Sequence, residues 1–399
     1  TLFPYTTLFR SRLSPVERMA FLWALRYPWL FRRLVRPQLY RRCGHDPEAV
    51  HQAVLAMVGQ ADVVELLRTR SRLFLSPTAL MVTVHGRRLA PFGTAAGMDK
   101  NGEALEAFSY VFGFQEPGTV VVAPRDGNPR PRVARDDRRE DLYNAQGFPS
   151  KGLPYFLDRI RAFRQSRGEH PTIYVSVCGL PLAQEGAIQV AMDEMEQLVK
   201  SLAPYVNGFV WNPFSPNTAA LAALRTPRVF RDTAELMGSL SPNHLRLVKM
   251  GPYEDDPGQR KAFLSLVEGF LEGGGHGVVV VNTQMVPREQ VPARQWGYPS
   301  AGRSGRSLRP YRLRAVREVR QAFPGSVVVA TGGIFDADDA YESFKAGATL
   351  LEGYTPYTFY GLGLLPRLQR GVARRLRQDG YHSLEQLQAE ARKGQALVA

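Results

Sequence analysis

The sequence predicts an α/β protein built as one (β/α)8 TIM barrel that carries an N-terminal helical extension. From residue 91 onward, short apolar runs alternate with longer amphipathic stretches, as strands and helices do in a parallel α/β fold. Eight such runs, with the helical stretches between them, fit within about 265 residues, which is the size of one barrel of this type. The predicted strands cover residues 92–96, 115–122, 173–177, 208–211, 245–249, 277–281, 326–330 and 349–353.

The chain divides at residue 80 into two predicted regions. Residues 1–11 match the translation of a common sequencing adapter, so they take no part in the fold prediction. Residues 12–80 form the predicted helical extension, and residues 81–399 form the predicted barrel. Within the extension, Ser14-Pro15-Val16-Glu17 predicts a capped helix start, and Asp46-Pro47-Glu48 predicts a second one.

The extension mixes aromatic and arginine side chains in a way that favours a membrane surface. Trp23 and Trp29 lie in apolar segments that several arginines interrupt. These segments are too short and too broken to cross a bilayer, which takes about 20 apolar residues. The mixture suits helices that lie in the lipid interface. The alternative is that these helices only pack against the barrel.

The net charge of the chain limits the kinds of partner that it is expected to bind. The charge is +14, and only seven of the 51 basic residues are lysines. A basic balance suits nucleic acid or an anionic membrane surface, and the lack of a nucleic-acid-binding motif favours the membrane. The two cysteines, Cys43 and Cys178, and the scattered histidines show no metal-ligand spacing. We therefore expect a reducing compartment and no structural metal.

Polar groups follow six of the eight predicted strands, at the end where barrel active sites are built. The groups are residues 95–100, 212–218, Lys249, Asn282-Thr283, 331–333 and 354–355. Glycines in 302–305 and 332–333 let backbone N–H groups approach an anion, which predicts a phosphate-bearing cofactor. Lys100 and Lys249 end two strands and predict an anionic ligand, because a lysine in a barrel mouth needs an anionic partner. The alternatives are plain turns and solvated lysines.

The segment 212–218 is the most informative of these groups. It reads Asn-Pro-Phe-Ser-Pro-Asn-Thr and follows the apolar run 208–211, so a strand delivers a rigid polar loop at its end. Prolines fix φ, each asparagine can donate and accept, and Ser215 can give or take a proton. The segment predicts a site that holds a planar amide-rich ring and moves a proton. The alternative is an Asn/Pro turn without a role.

Two long insertions interrupt the barrel pattern. One spans residues 127–148 after the second strand, and the other spans residues 285–308 after the sixth. Long loops at the active-site face of a barrel usually close over the site, so we expect both insertions to cover the cavity.

Together these residues resemble the dihydroorotate dehydrogenases of the membrane-associated, quinone-reducing class. The resemblance covers residues 14–390 and includes Asp46-Pro47-Glu48 with His51 before the barrel. The blocks most specific to the family are 95–103, 127–133, and Asn212 together with 215–218. The other matching blocks are Gly147-Phe148, Val248-Lys249, Asn282-Thr283, Ser304-Gly305, Gly332-Gly333 and Tyr354-Thr355.

The resemblance implies an FMN cofactor and a dihydroorotate substrate. The implied FMN ligands are Ala95, Ala96, Gly97, Thr119, Ser176, Lys249, Thr283, Ser304, Gly305, Gly332, Gly333, Tyr354 and Thr355. The implied ligands of the pyrimidine ring are Lys100, Asn144, Asn212, Asn217, Asn282 and Thr283. Ser215 would take a proton from C5 of dihydroorotate while a hydride leaves C6 for FMN. Thr218 and Phe148 match positions that gate this proton relay.

The resemblance also implies how the enzyme is reoxidised and where it works. A quinone would enter between the N-terminal helices, with Arg135 and Tyr354 at the inner end of its tunnel. The implied pathway is de novo pyrimidine biosynthesis, at the cytoplasmic side of a bacterial inner membrane. The expected partners are dihydroorotate or orotate, the quinone and an anionic membrane surface, without nucleic acid. The expected form is a monomer or a weak homo-oligomer.

Three stretches depart from the family pattern. Residues 176–179 read Ser-Val-Cys-Gly, where the family has a flavin-contacting asparagine and a lysine. Residues 144–149 read Asn-Ala-Gln-Gly-Phe-Pro, and Pro213-Phe214 is expected to set a bulky ring beside Ser215. These departures leave two alternatives open. The protein could be a divergent FMN oxidoreductase acting on another cyclic amide, or a flavin-binding, membrane-associated protein without turnover.

Overall fold

The computed structural model describes residues 14–182, 185–215 and 218–396, so residues 1–11 and Asn217 lie outside the described part. The strands are β1 Val82–Val84, β2 Arg87–Leu89, β3 Phe92–Thr94, β4 Phe114–Gln115, β5 Val133–Asp136, β6 Asp141–Asn144, β7 Thr172–Val177, β8 Gly208–Trp211, β9 Leu245–Met250, β10 Gly277–Val280, β11 Gln284–Pro287, β12 Ser300–Gly305, β13 Val327–Thr331 and β14 Leu350–Gly353.

Five of the described helices precede the barrel, and after residue 91 the helices alternate with the barrel strands. They are α1 Pro15–Arg26, α2 Pro28–Leu30, α3 Arg36–Arg42, α4 Pro47–Val58, α5 Ala61–Thr69, α6 Leu105–Ser109, α7 Gly152–Arg167, α8 Ala187–Leu202, α9 Pro227–Leu240, α10 Pro257–Glu272, α11 Arg309–Ala322, α12 Ala337–Lys345, α13 Thr355–Tyr360, α14 Leu364–Gln378 and α15 Leu384–Ala396. A π-helical turn, Phe31–Val35, joins α2 to α3.

Eight parallel strands close into a barrel, which confirms the predicted fold class. The strand order is β10-β13-β14-β3-β4-β7-β8-β9. Every residue of β7, β8 and β9 is buried, as expected for parallel strands with side chains inside the barrel and helices outside it. Because all eight strands run in one direction, their carboxyl ends meet at one face.

The second barrel strand is shorter than predicted. β4 ends at Gln115 instead of continuing to residue 122. Pro117 has no N–H group to donate, and Gly118 has a φ of 115°, so the backbone turns out of the ladder at this point. The Gly97 N–H then donates to the Gly118 carbonyl oxygen at 2.8 Å. The polar groups after the first two barrel strands are thereby held together.

The N-terminal helices begin where the sequence predicts and are fixed to the carboxyl end of the barrel. Ser14 and Glu17 form the capping box of α1, and Asp46 caps α4. Glu48 on α4 pairs with Arg132 at 2.7 Å, and both side chains are buried. This ion pair joins the extension to the segment that leads into β5, so the extension and the first insertion support each other.

The two insertions form one antiparallel sheet instead of separate loops. Its strand order is β11-β12-β6-β5, so the central ladder joins the second insertion to the first. In that ladder Gly302 pairs with Asn144, and Ser304 pairs with Leu142. The sequence showed the insertions but not their pairing, because partners this far apart in the chain leave no local pattern.

Within the described ranges, no single helix is long and apolar enough to cross a membrane. The helices α4 and α5 meet the length and composition of a span only when taken together, and they are bent by 70° at the break between them.

Candidate active site

A cavity at the carboxyl ends of the barrel strands brings most of the predicted site residues together. Residues of β5, β6 and β12 also line it, so both insertions cover it as expected. The predicted residues that line it are Ala95, Ala96, Gly97, Lys100, Thr119, Asn144, Phe148, Asn212, Ser215, Lys249, Asn282, Thr283, Ser304, Gly332, Gly333, Tyr354 and Thr355. The described residues Ser176, Thr218, Gly305 and Arg135 do not line it.

The asparagines at the strand ends form a chain of hydrogen bonds. Asn212 Nδ2 donates to Thr119 Oγ1 at 3.0 Å, and Asn282 Nδ2 donates to Asn212 Oδ1 at 3.1 Å. The Thr283 backbone N–H donates to Asn282 Oδ1 at 2.8 Å. Ser176 Oγ lies 3.0 Å from Thr119 Oγ1, so Ser176 supports this chain from behind instead of facing the cavity. Asn282 Nδ2 also donates to the Phe214 carbonyl oxygen at 3.1 Å, so both of its N–H groups are used. The chain therefore leaves one N–H of Asn212 and the second lone pairs of the amide oxygens in fixed positions for a ligand.

Phe214 and Arg225 help to hold the Ser215 loop. Ser215 lines the cavity, but Phe214 does not. The Phe214 ring lies 6.4 Å from the Phe230 ring, and the Arg225 guanidinium carbon lies 4.6 Å from its centroid. Arg225 Nε also donates to the Pro213 carbonyl oxygen at 3.1 Å. The Phe214 ring thus packs in an aromatic and cationic environment, and its effect on Ser215 stays a prediction.

Lys249 stands between two buried carboxylates that the sequence analysis did not identify. Its Nζ lies 3.1 Å from Glu116 Oε1 and 3.1 Å from Glu352 Oε1, and each side chain is 5% exposed or less. Burial lowers the pKa of Lys249, but the two carboxylates outweigh burial and raise the pKa. Lys249 and Glu352 both line the cavity. A signal was present, since Glu352 interrupts a buried apolar strand and a buried charge requires a partner.

Among the described residues that line the cavity, Lys100 is a cation without an ion-pair partner. Its Nζ donates to the Gly97 carbonyl oxygen at 3.3 Å, and no described carboxylate lies within ion-pair distance. Burial lowers the pKa of Lys100 to about 8, although the more distant charge of Glu48 opposes this shift. A ligand carboxylate would neutralise this buried charge and raise the pKa again.

The opposite end of the cavity is shaped for an anion. Gly332 and Gly333 have φ values of 91° and 70°, which residues other than glycine rarely adopt. A Cβ on Gly333 would lie 2.7 Å from the Arg309 backbone nitrogen, so the backbone passes directly against the start of α11. Thr355 Oγ1 donates to Ser304 Oγ at 3.1 Å, which places two hydroxyls beside these glycines in the cavity wall.

A strained turn presents Phe148 to the cavity. Gly147 and Phe148 have φ values of 66° and 56°. A Cβ on Gly147 would lie 2.7 Å from Asn128 Oδ1, so glycine is required there. A phenylalanine with positive φ is uncommon and persists only where its surroundings impose it. Phe148 lines the cavity beside residues of the first insertion.

A second cavity lies between the N-terminal helices and the barrel. Its volume is about 560 Å³, and apolar side chains of α1, α3 and α4 dominate its lining. Val133, Leu142 and Tyr354 line both cavities and form the wall between them. His51 contacts Tyr354 with ring centroids 5.2 Å apart. Burial, together with the charge of Lys100, lowers the pKa of His51 to about 3, so the imidazole is neutral at physiological pH.

Arg135 supports this second cavity from outside it. Its guanidinium carbon lies 3.2 Å from the centroid of the Tyr40 ring, and its Nη2 pairs with Asp137 at 3.4 Å. Tyr40 lines the second cavity, whereas Arg135 does not. Of the two predicted tunnel residues, Tyr354 is in the dividing wall and Arg135 is behind Tyr40.

Comparisons with known proteins agree on one family. The family model "Dihydroorotate dehydrogenase" matches residues 79–376. A dihydroorotate dehydrogenase (quinone) of Salinispora arenicola is 35% identical over 350 residues, covering 86% of this chain and 98% of the relative. The corresponding protein of Deinococcus deserti is 32% identical over 361 residues, covering 88% of this chain and 97% of the relative.

A solved structure supports the fold independently of close sequence similarity. The crystal structure of DHODH from Eimeria tenella in complex with ferulenol superposes with a TM-score of 0.75 at 24% sequence identity. The match covers 88% of this chain and 97% of that chain, so the shared fold extends over most of both chains.

Proposed function

The chain belongs to the quinone-dependent class of the dihydroorotate dehydrogenase family, and we propose that it oxidises dihydroorotate to orotate with bound FMN and a quinone acceptor. One observation carries this proposal. A polar cavity that contains Ser215, Lys100 and an asparagine chain shares the lining residues Val133, Leu142 and Tyr354 with an apolar cavity. Two such neighbouring cavities suit an enzyme that takes electrons from a polar substrate and delivers them to an apolar one.

The residues of the first cavity fit FMN. Gly332, Gly333, Ser304 and Thr355 supply backbone N–H groups and hydroxyls for a phosphate, as expected after the last barrel strands. Lys249 supplies a buried positive charge in the wall of the same cavity. When bound, FMN supplies a site that accepts a hydride from the substrate and passes two electrons to the quinone.

The other end of the cavity fits dihydroorotate, which is a cyclic diamide with one carboxylate. The Asn212 amide offers the ring an oriented donor and acceptor, the Asn282 amide offers its oxygen, and Asn144 lines the same space. Lys100 offers an unpaired positive charge to the carboxylate. Asn217, which lies outside the described residues, remains a predicted ligand of the ring.

Ser215 is the proposed base. Its hydroxyl lines the cavity within the loop that begins with Asn212, so the ring ligand and the base share one rigid segment. We propose that Ser215 Oγ takes the C5 proton as the hydride leaves C6, while the hydroxyl proton of Ser215 passes along the relay to solvent, because a neutral serine hydroxyl cannot hold two protons. Phe148 in the cavity wall and Thr218 in the same loop are the proposed gate of this path.

The second cavity is the proposed quinone site. Its volume of about 560 Å³ lies in the range of small-molecule sites, and its lining is mostly apolar. The neutral His51 and Tyr354 form its inner end. We propose that the quinone head group approaches Tyr354, while its apolar tail follows α1 and α4 to the surface.

The outer face of the N-terminal helices is the proposed membrane contact. Val16, Met19 and Trp23 recur at helical spacing on α1 and are 77%, 61% and 53% exposed. Trp29 and Leu34 extend this apolar surface and are 51% and 58% exposed. Exposed apolar residues flanked by arginines are typical of helices that lie in the lipid interface. We propose peripheral binding to anionic lipid, on the cytoplasmic side of a bacterial inner membrane.

Anaerobic flavin reduction tests the proposal directly. The protein purified in detergent is expected to carry the absorbance of oxidised flavin, and dihydroorotate is expected to bleach it. A soluble quinone should then restore the absorbance. Flavin that is bleached by another cyclic amide but not by dihydroorotate would instead support a divergent substrate. Flavin that no such compound reduces would support a protein without turnover.

A further inference from the structure

The cluster of Glu116, Lys249 and Glu352 contains two carboxyl groups and one positively charged group, so the charges balance only if one carboxyl is neutral. Lys249 is the proposed FMN ligand, but the two carboxyl groups have no part in the reaction as proposed. All three side chains are almost completely buried, and Lys249 Nζ lies 3.1 Å from one oxygen of each glutamate. If both carboxyls were ionised, the cluster would hold a net negative charge away from water, which is strongly unfavourable.

The geometry of the cluster also indicates a proton. Glu116 Oε2 is buried and has no partner among the described residues. Glu116 and Glu352 contact the same Lys249 Nζ, which holds their carboxyl groups close together. An ionised carboxylate has no donor, so two neighbouring carboxyls can bond to each other only when one of them carries a proton. A single proton would therefore complete the hydrogen bonds of the cluster and bring its net charge to zero.

The strands on either side of Glu352 contribute no titratable partner in the described part of the barrel. In the ladders on either side of β14, Glu352 pairs with Thr331 of β13 and Gly93 of β3, neither of which titrates. Burial, then the charge of Glu116, raises the pKa of Glu352 well above its usual range, and Lys249 only partly opposes this shift. The protonation of the pair is thus decided by three side chains.

We propose that Glu116 and Glu352 share one proton beside Lys249, and that this carboxyl pair makes the reduction potential of bound FMN depend on pH. The second half of the proposal rests on the proposed function, because it requires FMN in the first cavity, which Glu352 lines. The pair is a positioning and tuning group, and it takes no part in proton transfer from the substrate.

The direction of the effect follows from charge. While the pair holds its proton, the cluster is neutral beside the cofactor. When the pair loses the proton at higher pH, a negative charge appears in the cavity wall and makes it harder to add electrons to a neighbouring group. The potential of bound FMN should therefore fall more steeply with pH than it would without this carboxyl pair.

Glu352→Gln removes the titration while keeping the contacts. The glutamine amide can donate to Glu116 and its oxygen can accept from Lys249, so the buried hydrogen bonds are preserved. Glu116→Gln is the second variant. It leaves one ionised carboxylate beside Lys249, which balances the charge of the lysine without a bound proton. Glu318→Gln is the matched control, because Glu318 is a partly buried carboxylate paired with Arg260 outside both cavities.

Infrared difference spectroscopy tests the shared proton without relying on turnover or on FMN. Spectra of the full chain are recorded above pH 6, because burial raises the pKa of Asp99 to about 6 and that carboxyl would otherwise contribute. A carboxylic acid C=O band is expected in the wild type and in Glu318→Gln, and it should disappear in both Glu352→Gln and Glu116→Gln. A band that persists in Glu352→Gln would overturn the shared proton.

Spectroelectrochemical titration of the flavin tests the second half. Wild type and Glu352→Gln should have the same potential in acid, and the potential of the variant should become progressively higher as pH rises. Glu318→Gln should follow the wild type throughout. Parallel curves for wild type and Glu352→Gln would reject the tuning role even if the infrared band behaved as expected. A protein that binds no FMN would contradict the proposed function but leave the infrared result standing.

Discussion

The two cavities of this protein are built on opposite principles. The first is lined by strand ends, and almost every polar group in it is oriented by another, as in the chain from Thr283 through Asn282 and Asn212 to Thr119. The second is lined by short helices whose apolar side chains face an internal space, while Trp23 and Trp29 on the same helices remain half exposed. The first cavity therefore selects its ligand through hydrogen-bonding groups that are held in fixed directions. The second cavity selects an apolar ligand through its shape.

This difference teaches how one chain can serve two dissimilar substrates. A polar ring needs donors and acceptors that do not move, and the barrel provides them. An apolar substrate needs a dry path to the surface, which packed helices provide without directional bonds. The dividing wall of Val133, Leu142 and Tyr354 keeps the two requirements apart. Substitutions on either side of this wall should consequently affect one half-reaction and spare the other.

The largest expected effect is on the polar side. Ser215→Ala should lower the rate of flavin reduction by dihydroorotate by about 10²–10⁴-fold, the usual contribution of a general base. Reoxidation of a chemically reduced enzyme by quinone should be unchanged, because Ser215 does not line the second cavity. Stopped-flow absorbance measures both steps. Ser109→Ala, on the surface helix α6, is the control that should retain both rates, and a Ser215→Ala variant that also retained them would remove the proposed base.

The next effect is on the apolar side. Val54→Trp should weaken quinone reduction by about tenfold or more, since overpacking costs about 1–3 kcal/mol and the added ring occupies the path. Val54 lines the second cavity, whereas Val64 on the neighbouring helix α5 does not. Val64→Trp therefore makes the matched control. Steady-state kinetics with a soluble quinone should show the loss only for Val54→Trp, while reduction by dihydroorotate stays normal in both variants.

A smaller effect is expected at the surface of the extension. The double variant Trp23→Ser, Trp29→Ser should bind vesicles that contain anionic lipid roughly tenfold more weakly, because two half-exposed rings no longer enter the interface. Cosedimentation measures the binding. Ile188 on α8 is 41% exposed on the barrel, and Ile188→Ser should bind as the wild type does. Equal binding by the double variant would show that α1 and α2 are not the membrane contact.

The smallest expected effect is on stability. The raised pKa of Glu352 means that the folded state holds a proton that the unfolded state has lost, so stability falls as pH rises from the usual glutamate range to the raised value. The slope is at most about 1.4 kcal/mol per pH unit for one proton. Glu352→Gln should lack this decline, which urea unfolding at several pH values would reveal. A wild-type stability that did not decline relative to the variant would contradict the buried proton.

The sequence predicted the polar cavity better than the apolar one for a physical reason. Parallel strands force their carboxyl ends to one face, so Asn212, Asn282 and Lys249 could be assigned to one site from strand positions alone. Side-chain direction within a loop has no such rule, so the packing of Phe214 against Phe230 and Arg225 could not be predicted. Ser176 was similarly expected at the cofactor, but it contacts Thr119 from behind.

Pairings between distant segments of the chain could not be predicted from the sequence. Glu116 and Glu352 each look like a single acid at a strand end, and only the closed barrel shows that both meet Lys249. The helices of the extension could be predicted from Ser14 and Asp46, since capping is local, but the cavity that they enclose depends on tertiary packing. Local chemistry was therefore predictable, and long-range partnership was not.

The sheet formed by the two insertions has a consequence for the order of folding. Its central ladder includes the bond from Asn144 Nδ2 to the Gly302 carbonyl oxygen at 3.1 Å, between residues 158 positions apart. Closing such a long loop costs entropy that only an already formed barrel can offset. We therefore expect the sheet of β5, β6, β11 and β12 to form last, after β7 to β10 have brought the two insertions together. A ribosome-bound chain that stops short of β12 would lack β13 and β14 as well, so it would have neither a closed barrel nor an enclosed site.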